Sequence, residues 1–166
     1  MAKGNDIVVN GMFGKGRYTP YFNGTGGDLY PGTICQVDTS VALRAGVNTV
    51  VVYDRDADGD HPKGDLILVT HEMQKMVGKL ATDAIGTGEI FQGYSPQAGD
   101  DVNLLLADAN TGTTQEDIAA GTILMVDDGT GKLIATSGSP EEEVAVTMEA
   151  QNNMSAAALT WCRWAK

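Results

Sequence analysis

The chain is short of positive charge: 11 Lys and Arg stand against 22 Asp and Glu, a net charge of −11. Such a surface repels phosphate, which argues against packaging or reading nucleic acid. Cysteine is nearly absent. Cys35 and Cys162 form no C-x-x-C pair and no Cys/His cluster, so neither a zinc site nor a redox dithiol is indicated. Each lies in an apolar run, where the residue acts as a small buried hydrophobe. No apolar run approaches membrane-spanning length, so no membrane partner is expected. The opening residues Met1 to Asp6 hold no apolar stretch. The expectation is therefore a protein without a secretory leader, made in a reducing cytoplasm. No G-x-S-x-G, phosphate loop or dinucleotide fingerprint occurs.

Glycine is abundant, 21 residues, many beside Asp, Asn, Thr or Pro, and hydrophobic residues make up 42%. The combination describes a turn-rich all-β chain with enough apolar material for a core. Short β-branched or aromatic segments recur at 33–38, 47–53, 65–70, 89–94, 102–107, 122–126, 132–136, 144–149 and 159–165. Turn signals such as Pro31-Gly32, Ala45-Gly46, Gly99-Asp100 and Asp128-Gly129 separate them. This spacing predicts an all-β fold: a small antiparallel β-barrel, β-tulip-like or sandwich body. Two short helices are predicted. In 71–77, Met73, Met76 and Val77 share a face, a spacing that Leu80 continues, and Gly78 can end the helix. In 114–119, Thr114 caps a single turn.

Residues 1–30 have a different texture. Up to residue 27 there are three basic residues (Lys3, Lys15, Arg17) and one acid (Asp6), against eight basic and twenty-one acidic residues in the remainder. Two readings stand on charge: an N-terminus with a separate task, or a solubilising surface with a loose end. The glycines and weak periodicity predict an extended arm over 1–30 and a single β domain over 31–166. Phe13, Tyr18, Tyr21 and Phe22 are the candidate partner-binding anchors, docking on the protein's own body or on a neighbouring subunit.

Two patterns bear on architecture. Gly32-Thr33-Ile34-Cys35-Gln36-Val37-Asp38 matches Gly121-Thr122-Ile123-Leu124-Met125-Val126-Asp127 at five of seven positions. The echo is either a duplicated half-barrel or one turn-into-strand solution used twice. In 65–70, Leu66 and Leu68 oppose Ile67 and Val69. In 122–126, Leu124 opposes Ile123 and Met125. Strands apolar on both faces need a second cover, from the same chain or from another subunit. That requirement predicts an oligomer.

Candidate chemistry is thin. Asp54, Asp56, Asp58, Gly59 and Asp65 occupy places 1, 3, 5, 6 and 12 of a calcium loop. Asp65 is short for the usual bidentate Glu, Pro62 breaks the pattern, and a strand rather than a helix precedes it. The alternative is an acidic exposed hairpin, and no metal is assigned. His71-Glu72 lacks the second histidine of a metalloprotease, because Lys75 stands at that place. Asp100-Asp101 and Glu141 to Glu143 lie in turns, where carboxylates are expected to be hydrated rather than catalytic. Trp161 and Trp164, three apart on a strand, face opposite sides and suit core and interface. We expect no catalytic residue, no cofactor and no enzyme activity.

With no catalytic constellation, the chain resembles tailed-bacteriophage capsid decoration (cement) proteins. Residues 86–107, with their strand, Pro96-Gln97-Ala98-Gly99 turn and second strand, carry the resemblance, as do the Gly-Thr hairpin of 120–135 and the closing strands of 144–165. The resemblance implies a barrel or β-tulip body with an N-terminal arm, bound to the outer surface of the virion head. It implies a homotrimer that pins neighbouring major capsid subunits, with no catalytic residues to carry over. The acidic 54–65 loop departs from that pattern. The alternatives are a phage tail or baseplate domain and a calcium-dependent β-domain that binds another molecule.

If the acidic loop is only a hydrated hairpin, a chelator leaves the protein's melting temperature unchanged. Differential scanning calorimetry with and without EDTA reads this directly, because a ligand held by the native state alone would raise the transition. A drop of many degrees on chelation would identify Asp54, Asp56, Asp58 and Asp65 as ligands.

Overall fold

The computed structural model describes residues 16–53, 66–70, 78, 80, 82–107, 117–127, 129–135, 143–151 and 156–165. Ten strands occur among them: β1 Arg17–Asn23, β2 Ile34–Val37, β3 Asn48–Val52, β4 Ile67–Val69, β5 Ile90–Ser95, β6 Asp101–Leu106, β7 Ile123–Val126, β8 Leu133–Ala135, β9 Ala145–Thr147 and β10 Ala158–Trp164. They close into two five-stranded barrels, β1-β3-β2-β4-β5 and β6-β8-β7-β9-β10. Closure pairs both sides of every strand and leaves no open sheet edge. The described residues contain no helix. The predicted helix over 71–77 and the start of that over 114–119 lie outside them. Ile118 instead forms an antiparallel bridge with Gln151.

The nine strand-like segments all contain strands. The tenth, β1, falls inside the stretch expected to be an arm. It runs parallel to β3 through Tyr21, Phe22 and Asn23 and antiparallel to β5 from Arg17 to Phe22. Pro20 sits opposite Gln92, ahead of the point where β3 begins to pair, so its missing N–H breaks no ladder on that side. The 30/31 boundary therefore cuts through the first barrel, between β1 and β2. Residues 17–30 belong to the body.

The two barrels repeat one topology. In strand order β1 to β5 correspond to β6 to β10, and each pairing recurs with the same sense, including the parallel β1–β3 and β6–β8 contacts. The register recurs too. Cys35 opposes Val52 and Ile67, as Leu124 opposes Ala135 and Ala145. Leu68 opposes Tyr94, as Val146 opposes Arg163. Bonds outside the ladders follow suit. Gly32 N–H donates to Val69 O at 2.9 Å and Gly121 N–H to Thr147 O at 2.8 Å. Asp38 N–H donates to Thr49 O at 2.9 Å and Asp127 N–H to Lys132 O at 2.7 Å. The sequence echo thus lies at equivalent places, the entries to β2 and β7, and the repeated unit is a whole barrel rather than half of one.

Alternation on the strands divides the core. Cys35, Val50, Ile67, Val69 and Phe91, with Tyr21, Leu29 and Ile85, fill the first barrel. Ile34, Leu68, Tyr94 and Tyr53, on its outer side, join Leu104, Leu106, Leu124, Leu133 and Trp164 of the second barrel in one buried cluster. The second face of β4 is thus covered by the same chain. Complete burial of such a side chain stabilises by about 1.5–3 kcal/mol.

Backbone contacts stitch this seam. Leu105 N–H donates to Gly32 O at 3.0 Å, Ile34 N–H to Gly131 O at 2.7 Å, and Gly129 N–H to Tyr53 O at 3.2 Å. The approach requires glycine at Gly131. Its φ is +65°, and an added Cβ would overlap Ile34 O and stand 2.7 Å from Thr33 Cγ2. Gly129, at φ +73°, has nothing within 4 Å of such a Cβ. Both substitutions meet the left-handed backbone penalty of about 1–2 kcal/mol, and Gly131→Ala adds an overpacking cost of about 1–3 kcal/mol. Urea titration should therefore show Gly131→Ala clearly less stable than Gly129→Ala. Equal midpoints would mean that the seam yields without cost.

Candidate interaction surfaces

The expected anchors serve mostly as the protein's own packing. Tyr21 is buried inside the first barrel, its ring centroid 6.1 Å from that of Phe91. Phe22 is buried under the Arg44 guanidinium, which stands 4.6 Å from the ring centroid. Tyr18 is half-buried against Tyr94, with centroids 4.8 Å apart. Phe13 lies outside the described residues. Tyr21 and Phe22 are thus not free to anchor a partner: closure against β5 turns Tyr21 into the barrel, and Phe22, on the opposite face, is covered by Arg44. Their signal in the sequence was masked by flanking glycines and Pro20.

Asp100 is not hydrated, contrary to the expectation for a turn carboxylate. It is buried at the crossover from β5 to β6, the link between the barrels. Its Oδ2 accepts the Tyr94 hydroxyl at 2.6 Å and Gln97 N–H at 2.9 Å. Its carbonyl accepts Trp164 N–H at 2.8 Å, while Gly99 N–H donates to Trp164 O at 2.9 Å. The Tyr94 oxygen in turn accepts Gly16 N–H at 3.0 Å. Burial first, and then the Asp100 carboxylate, push the Tyr94 phenol above its ordinary range, so it stays a protonated donor. Asp101 points elsewhere, to Arg163 at 2.9 Å on the exposed side. The two adjacent carboxylates are therefore separated by the strand and do not form an acid–base pair.

The thiols are inert for the same reason that Tyr94 stays neutral. Burial raises the Cys35 thiol well above its usual range and pushes Cys162 up to about 12. Among the described residues no group of three or more His, Cys, Asp or Glu is placed to hold a metal ion. The 54–65 loop and His71-Glu72 lie outside them, as do Glu141 and Glu142. Trp164 is core and Trp161 is half-buried, its backbone N–H donating to Glu149 Oε1 at 3.0 Å.

The exposed apolar residues are few and local. The hairpin between β2 and β3 is set by an Asx turn, in which Asp38 accepts Ser40 N–H at 2.9 Å and Ser40 Oγ–H at 2.6 Å. These bonds hold the Asp38 carboxyl below its usual range. The hairpin narrows at the Arg44–Val47 bridge, with Ala45 and Gly46 at positive φ. It exposes Val41 and Leu43. Ile90, Ile123, Tyr30 and Leu80 are the other exposed large hydrophobics among the described residues. Sequence reasoning placed a turn at Ala45-Gly46 but did not single out Val41 and Leu43, two apolar residues among many.

No protein-family model and no curated protein matches the chain. Among solved structures, the head fiber gp8.5 N base of bacteriophage phi29 is similar, with a TM-score of 0.50 and 8% sequence identity. The likeness covers 90% of this chain and 95% of that one. It therefore spans both barrels, and at this identity it shows a shared fold.

Removing the Tyr94 hydroxyl tests the crossover. Tyr94→Phe leaves the buried Asp100 carboxylate and Gly16 N–H each short of a partner, a loss of about 1–3 kcal/mol. Asp101→Asn weakens the ion pair with the exposed Arg163, worth about 0–1 kcal/mol. Urea unfolding of the two variants should rank them in that order.

Proposed function

We propose that this protein is a structural component of a phage head: an oligomeric decoration protein that binds the outer capsid surface and braces neighbouring major capsid subunits. The observation that carries the reading is the fold likeness, over both barrels, to a protein described as the base of a phage head fiber. The acidity of the chain, with a net charge of −11, supports it. Such a surface tolerates the outside of a capsid and not the DNA within. The sequence resemblance to cement proteins points the same way. A homotrimer is the proposed assembly, as the resemblance to cement proteins implies, and many weak copies on one lattice would add through avidity.

The candidate clamp shrinks to the residues before β1, with Lys3, Lys15 and Phe13 as contacts to the acidic or apolar surface of a capsid subunit. β1 itself is part of the body.

Co-sedimentation with emptied, expanded heads tests the reading. The full chain should pellet with the heads and raise the temperature at which they rupture. Deleting residues 2–12 should leave the melting transition in place and weaken binding at least tenfold. Deleting residues 2–20 should abolish the transition, since it removes half of β1. Failure of the full chain to bind any head form would remove the proposal. Undiminished binding by the shorter deletion would move the clamp onto the barrels.

A further inference from the structure

The seam joins two unlike faces. The first barrel offers Gly32, Ile34 and Tyr53, and the second offers Leu105, Leu159 and the β7–β8 hairpin. Because the barrels repeat, each also carries the counterpart of the face it does not use. On the second barrel, the register places Ile123 where the first has Ile34. Ile34 is 0% exposed and Ile123 is 41% exposed. Gly121 stands where the first barrel has Gly32. A Cβ on Gly32 would meet Leu159 Cδ2 at 2.5 Å and Leu105 N at 2.9 Å, and one on Gly121 would meet nothing within 4 Å.

The first barrel carries the complementary face. Its counterpart of Leu159 is Ile90, which is 41% exposed. Its counterpart of the seam hairpin is the longer β2–β3 hairpin, with Val41 at 49% and Leu43 at 61% exposure. Arg44 holds that hairpin beside Phe22, the counterpart of Leu105. Four of the six exposed large hydrophobics among the described residues therefore lie on the two unused counterparts of the seam.

We propose that these two faces meet between copies of this chain. The Ile90 face and β2–β3 hairpin of one copy pack on the Ile123 face of the next. A second copy is the occupant because the seam already shows what covers such a face: a barrel of the same topology presenting a hairpin and an aliphatic side chain. The contact cannot repeat the seam in full. In the first barrel β3 already pairs with β1 at Tyr21 and Phe22, filling the backbone position that Gly32 takes beside Leu105. Arg163 also replaces Tyr94 on the receiving face. The interchain contact is therefore made by side chains, and is weaker than the seam. It is heterologous, so successive copies either close a ring or continue.

The inference does not rest on where the copies sit, and its test needs no capsid. Full-length Ile90→Cys and Ile123→Cys chains are mixed and treated with a short bismaleimide. Native Cys35 and Cys162, both 0% exposed, stay out of reach. The mixture should give a covalent dimer that neither variant gives alone. Ile123→Asp should lower the mass seen by light scattering to that of the monomer, with circular dichroism and melting unchanged. Self-cross-linking of either single variant, no cross-link in the mixture, or a monomeric wild type at every concentration would overturn the proposal. Loss of head binding with the cross-link intact would instead count against the capsid reading alone.

Discussion

The close approach of backbone to backbone at Gly32 and Gly131 is the constraint on which the rest of this molecule hangs. Two small barrels, each of five short strands, have interiors that hold only a handful of side chains. Alone, either buries little of its surface on folding, and such units are marginal. The seam changes this by turning the outer side of one barrel into core. Ile34 and Leu68, which an isolated first barrel would show to water, are completely buried. The two glycines permit this because a Cβ at either would meet backbone of the other barrel, Leu105 N or Ile34 O. The hydrogen bonds across the gap then satisfy N–H and C=O groups that burial would otherwise leave unpaired.

Much of this was legible in the chain. β-branched and aromatic runs bounded by Gly, Pro and Asp report strands reliably when each strand is buried on at least one side, and the nine such runs were found. β1 was hidden because its evidence is mixed. Pro20 and the neighbouring glycines speak for a loop, while Tyr18, Tyr21 and Phe22 speak for burial. What decides is partners far away in sequence, β3 and β5, and no local window contains them. Asp100 shows the same limit. Its position after Gly99 reads as a hydrated turn, and only the fold brings Tyr94 and Trp164 around it.

The repeat was visible as a seven-residue echo and no more, for a physical reason. Register and hydrogen bonding constrain a strand through its backbone and through the inward or outward sense of each position. Many side chains satisfy that constraint, so Cys35 and Leu124, or Val52 and Ala135, hold equivalent places without resembling one another. The turn into β2 and β7 is less forgiving. Gly32 and Gly121 have φ of +90° and +85°, a conformation that selects glycine. The echo survives where the backbone demands a residue type and fades where it demands only a hydrophobe.

Duplication also explains why strands apolar on both faces have different fates. In β4 the second face is sealed by the neighbouring barrel of the same chain. In β7, at the equivalent place, none of the described residues seals that face, and Ile123 is 41% exposed. Two barrels of one topology in tandem make one junction and leave two ends, so each side of the junction has a counterpart that the junction does not use. The ends need not stay identical to the junction, and here they have diverged. The seam hairpin is short and glycine-bearing, while its counterpart is long and carries Val41 and Leu43. Tyr94 lies buried near the seam, while its counterpart Arg163 is solvated and paired with Asp101. A junction inside one chain is held at the high effective concentration that the covalent link provides, and can be wholly apolar. A face that must stay soluble until a partner comes is better served by a few aliphatic residues in a charged setting.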